Sequence, residues 1–86
     1  MIVNAKQAAQ KATEYFSTLY TGKAISNVQL EEVEVTDDGR FWLITLSYPA
    51  SDLAEILGRG GPKEYKVFKI DADTGEVKSM KIRKVG

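Results

Sequence analysis

The chain has 86 residues, 43% hydrophobic and 28% charged, a composition that suits one folded domain over 1–86 and leaves no room for a second. Twelve Lys and Arg balance twelve Asp and Glu, so the molecule as a whole is not drawn to a polyanion. The absence of Cys and His excludes disulfides, a thiolate nucleophile and a zinc ribbon, and takes away the commonest general base and metal ligand.

Met1-Ile2-Val3-Asn4 leads straight into Ala5-Lys6-Gln7 without the basic stretch and apolar run of a signal peptide, and the longest apolar run, Phe41-Trp42-Leu43-Ile44, is far below a membrane span. The expectation is a cytoplasmic chain with no membrane contact. Ala5, Ala8, Ala9, Ala12, Tyr15, Phe16 and Leu19 recur at three- and four-residue steps among polar residues, which predicts an amphipathic helix over 5–20. Asn4 and Gln7 form a capping box at its start, and Gly22 supplies the left-handed residue that ends it. The alanines make a narrow face for close approach to a sheet, and the aromatics at the other end make a wedge.

The period then changes to two. Val28 and Leu30 alternate in one phase and Val33 and Val35 in the other, with Glu31-Glu32 between them, a shift that points to a β-bulge bending the strand there. Thr36-Asp37-Asp38-Gly39-Arg40 is a tight turn, and a second strand follows over 41–48 with Trp42, Ile44, Leu46 and Tyr48 facing the core. Between 49 and 63 the pattern breaks: 51–57 reads as a short helical turn, and Gly58-Arg59-Gly60-Gly61-Pro62 as a loose connection. Strands over 64–70 and 76–85 flank the turn Asp71-Ala72-Asp73-Thr74-Gly75, with Phe68, Ile70, Met80 and Ile82 inward. The order is α-β-β-β-β, an α+β fold in which one N-terminal helix packs on a curled four-stranded antiparallel meander.

The stretch Tyr65-Lys66-Val67-Phe68-Lys69-Ile70-Asp71-Ala72-Asp73-Thr74-Gly75-Glu76-Val77 resembles the signature hairpin of PepSY-type domains, the small modules found in propeptides of secreted peptidases. The likeness is strongest over 64–82, and the alanine-rich helix ahead of the sheet is similar to that family and its cystatin-like relatives. A fainter likeness, in a helix, a Trp-bearing strand and a basic last strand, is to the O-type accessory proteins of gas vesicles. The PepSY resemblance implies a non-enzymatic module that binds or inhibits a peptidase or another protein, and it brings no catalytic residues.

Asp71, Asp73 and Glu76 bring carboxylates around Gly75, but the full spacing of a calcium loop is missing, and Asp and Gly are what a plain hairpin turn selects. Gly58-Arg59-Gly60-Gly61 lacks the lysine and serine of a phosphate loop and precedes a strand instead of a helix. Glu31-Glu32 and Asp37-Asp38 are neighbours whose side chains alternate between faces on a regular strand, so neither doublet is expected to converge as an acid–base pair. No catalytic residue, metal or cofactor is assigned.

Residues 1–62 carry five basic and eight acidic side chains and 63–86 carry seven and four, so the zero net charge is a dipole between an acidic first hairpin and a basic last one. Lysine on an edge strand also blocks unwanted pairing. The expected function is a non-catalytic protein-binding module, with a peptidase inhibitor or regulatory domain as its sharper form. The alternative is a weak binder of nucleic acid or another anionic partner through the basic hairpin, where only Tyr65 offers a base-stacking ring among the lysines. The expected contact is the sheet face turned away from the helix, with Phe41, Leu43, Tyr65 and Val67, joined by Leu53, Ile56 and Leu57 if 49–63 is a movable flap; the alternative for that segment is a connecting loop with its own small satellite core. The expected occupant is a protein partner or a second copy forming a homodimer.

Overall fold

The computed structural model describes residues 2–19, 28–49 and 63–83. They form one helix, α1 (Ala5–Leu19), and four strands, β1 (Gln29–Val35), β2 (Phe41–Pro49), β3 (Lys63–Asp71) and β4 (Val77–Arg83). The strands lie in chain order in one antiparallel sheet, so the α-β-β-β-β meander expected from the sequence is the fold observed. The expected Gly22 cap and the 51–57 turn fall outside the described residues.

The start of α1 is fixed by its capping box: Gln7 N–H donates to Asn4 Oδ1 at 2.8 Å, and Asn4 N–H donates to Gln7 Oε1 at 2.9 Å. Ala8 and Ala12 bring the backbone close to the sheet, and Phe16 fills the wider gap beyond them. The Phe16 ring lies 4.9 Å from that of Tyr48 and meets Phe68 edge-on at 6.3 Å. Ile44, Leu46, Phe68 and Ile70 complete the fully buried centre, all on the helix side of β2 and β3.

Two irregularities keep that side apolar out to the edges. The register of β1 on β2 shifts between Leu30 and Glu32, leaving Glu31 as a bulge, so Leu30, Val33 and Val35 all face the helix opposite Leu46, Ile44 and Trp42. A second shift, which the sequence pattern does not announce, comes between Lys69 and Ile70 and leaves Lys78 as the extra residue in β4. Val77 therefore joins Met80 and Ile82 on the helix side.

Two core assignments need correcting. Ile82 does face the helix side but is 73% exposed, because one helix about 10 Å wide cannot cover four strands spaced about 4.8 Å apart. Trp42 faces the core side and packs against the core cluster, but it is only half-buried. Its Nε1–H donates to the Val3 carbonyl at 2.8 Å. Val3 N–H in turn donates to Ala72 O, and Ala72 N–H to Arg40 O, so the segment before α1 is tied to both hairpin turns.

Candidate interaction surface

The face opposite the helix is built from alternate residues of the four strands. Register sets Glu34, Leu43, Lys69 and Ser79 in one row and Glu32, Thr45, Val67 and Lys81 in the next. Ser47, Tyr65 and Arg83 follow, and Phe41 opposite Asp71 closes the other end. The structure thus brings Phe41, Leu43, Tyr65 and Val67 together on one face, each half-buried, and no described element packs over them. Leu53, Ile56 and Leu57 lie outside the described residues. Pro49 and Lys63, the ends of the expected flap, sit opposite one another across β2 and β3.

Sequence reasoning missed the polar network that runs through this face. Thr45 and Ser47 are 3% and 0% exposed although they stand on the side away from the helix. A buried hydroxyl must be hydrogen-bonded to avoid a large desolvation cost, and both are. Ser47 Oγ donates to Glu31 Oε2. Arg83 Nη1 reaches from β4 across β3 to Thr45 Oγ1 at 3.2 Å and to both oxygens of Glu32 on β1, at 2.7 and 2.8 Å. Glu32 holds the guanidinium in its charged form, raising the Arg83 pKa above its usual value by hydrogen bonding and charge. One side chain therefore straps the two edges of the sheet together. The available signal was the pair of small hydroxyl residues on the central strand between acidic and basic edges.

The same network corrects the reading of Glu31-Glu32. Because Glu31 occupies the bulge, both carboxylates reach the face away from the helix, one to Ser47 and the other to Arg83. They are held by separate partners and do not converge on a shared proton. Nearby, Lys69 Nζ stands 4.2 Å from the centroid of the Phe41 ring, a cation–π contact that half-covers that aromatic.

The turn carboxylates have structural work. Asp71 Oδ1 accepts from the N–H groups of Thr74 and Asp73 at 2.9 and 2.8 Å, and these two bonds, Thr74 first, hold its pKa below the ordinary 3.8. Glu76 pairs with Lys78 at 3.1 Å. In the first turn, Asp38 Oδ1 accepts from Thr36 Oγ1 at 2.7 Å and from Arg40 N–H at 3.0 Å, and the Thr36 bond leads in lowering its pKa. Among the described residues, no group of three or more carboxylates is placed to hold a metal ion. Nor is any described helix long and apolar enough to cross a membrane.

The hairpin with its Asp-x-x-Thr-Gly-Glu turn, the capped helix and the meander form one continuous pattern, and the family model PepSY, described as "Peptidase propeptide and YPEB domain", matches residues 2–81. The chain belongs to the PepSY family. No curated protein and no solved structure matches it. The match takes in every described element up to Lys81 of β4, so the resemblance carried by the 64–82 hairpin extends over the helix and the first hairpin as well.

Proposed function

We propose that this PepSY domain is a non-catalytic protein-binding module that inhibits or otherwise regulates a peptidase or another protein, and that it does so through the sheet face bearing Phe41, Leu43, Tyr65 and Val67. The family match supports the regulatory class. The observation that carries the choice of surface is that these four side chains share one face over which no described element packs. A layer of half-exposed aromatic and aliphatic residues among satisfied polar groups is the composition of a protein contact.

No observation favours the polyanion reading. Arg83 is paired with Glu32, Lys78 with Glu76, and Lys69 is folded over Phe41, so much of the basic hairpin's charge is already engaged. Counterion release would also make polyanion binding fall steeply with salt.

The test replaces Leu43 and Val67 together by threonine, which keeps β-compatible residues while removing apolar area. The variant is compared with the wild type for capture of a partner from native lysate. The purified partner is then titrated directly, with peptidase activity as the readout where the partner is a peptidase. Loss of binding or inhibition with an unchanged thermal midpoint supports the reading. Unchanged binding with a lowered midpoint shows instead that the face is ordinary core.

A further inference from the structure

The two edges of the sheet differ in charge and are alike in apolar pattern. Strand β1 is exposed along its whole length, and among the described residues nothing pairs with its outer edge or with that of β4. On the helix side, β1 shows Leu30 at 51%, Val33 at 37% and Val35 at 42% exposure, while β4 shows Met80 half-buried and Ile82 almost bare. On the other side, β1 carries Glu32 and Glu34, and β4 carries Lys81 and Arg83. Each edge is thus an alternation of apolar and charged residues, acidic on one and basic on the other.

We propose that copies of this chain join edge to edge, β1 of one against β4 of the next, extending the antiparallel sheet with all helices on one side. Strands β1 and β4 run in opposite directions within the sheet, so adding the next copy in the same orientation makes the new pair antiparallel. The alternation then sets the register. With Val33 opposite Ile82 of the second copy, Val35 meets Met80, Glu34 meets Lys81 and Glu32 meets Arg83. Opposite charges and apolar pairs in directly opposed positions are the cross-strand contacts that stabilise a sheet. The same charges oppose the other pairings: β1 on β1 sets glutamates against glutamates, and β4 on β4 sets lysine and arginine together. The contact is head-to-tail, so it generates a series of species and not a closed two-fold dimer. One added strand pair buries less than about 1,000 Å² in total, which makes this a weak association of concentrated protein.

Arg83 and Glu32 already pair within the chain, so the test rests on Glu34 and Lys81, which form no ion pair among the described residues. Sedimentation velocity is run on the wild type up to about 1 mM, where a weak complex is populated, at low and high salt, and on Glu34→Lys, Lys81→Glu and an equimolar mixture of the two. The expected results are concentration-dependent association of the wild type that weakens with salt, a loss on the order of five-fold or more in either single variant, and recovery in the mixture, where a lysine-bearing β1 meets a glutamate-bearing β4. Amide exchange on the wild type supplies a reading that needs no variant: the N–H groups of β1 and β4 should gain protection with concentration while those of β2 and β3 do not. A chain that stays monomeric at about 1 mM, association untouched by both variants, or no recovery in the equimolar mixture of the two would overturn the proposal. The Leu43→Thr, Val67→Thr variant should associate like the wild type, so failure of the face contact and failure of the edge contact are distinguishable.

Discussion

Replacing Trp42 by Phe isolates the tie between the segment before α1 and the sheet. The substitution keeps an aromatic ring on the helix side of β2 and removes the Nε1–H that donates to the Val3 carbonyl. The lost hydrogen bond is worth about 0.5–1.5 kcal/mol. The smaller ring withdraws roughly 40 Å² of apolar surface from packing, about 1 kcal/mol at 25 cal/mol per Å². Together these give a loss of about 1.5–2.5 kcal/mol, a sizeable share of the roughly 4–13 kcal/mol expected for a domain of this length. Urea denaturation followed by far-ultraviolet circular dichroism measures it. At about 1.5 kcal/mol per molar urea, the midpoint falls by roughly 1–1.7 M. The damage should also be local. Val3 N–H donates to Ala72 O only while the segment is held down, so its amide should exchange faster relative to that of Phe68 in the centre of β3. A stability loss below about 0.5 kcal/mol, with Val3 protection unchanged, would refute the tie. Truncation to alanine should cost about 2–3 kcal/mol, less than the 3–5 typical of a fully buried ring, because Trp42 is only half-buried.

Gly75 has φ of 78°, and a Cβ placed there would meet Lys11 Cε at 3.5 Å and Val3 Cγ2 at 3.6 Å, ordinary contact distances. Backbone strain and not collision therefore decides the effect: Gly75→Ala should lose about 1–2 kcal/mol in urea unfolding and Gly75→Asn less, since asparagine tolerates the left-handed region. Acid should destabilise the domain. Asp38 and Asp71 are held below their ordinary 3.8, so the unfolded chain binds protons more readily than the folded one. Their contribution is complete above about pH 4 and is lost as pH falls through the folded values. Thermal midpoints measured from pH 6 down to 2 should decline over that lower range, and less so in Asp71→Asn; a flat profile would remove the turn carboxylates from the account.

Local and periodic features of this protein were determined by the sequence alone. The capping box at Asn4 and Gln7 depends on residues three apart, and the Asp-Gly and Thr-Gly turns on backbone preferences that need no distant partner. The change of phase between Leu30 and Val33 located the first bulge, because a strand with one buried face cannot change phase without an extra residue. The hairpin over 65–77 carried the family. Everything that depends on how far apart elements come to rest was decided by tertiary structure. Whether Ile82 is buried depends on how much of the sheet one helix covers, and alternation reports only the side it faces. The role of Trp42 depends on Val3, thirty-nine residues away, arriving at the end of the sheet. The strap from Arg83 to Thr45 and Glu32 crosses from one edge strand to the other, so no spacing along the chain encodes it. It forms because register brings those residues to neighbouring rows of one face, where a long guanidinium can reach hydroxyl and carboxylate at once and a buried Thr45 needs a partner.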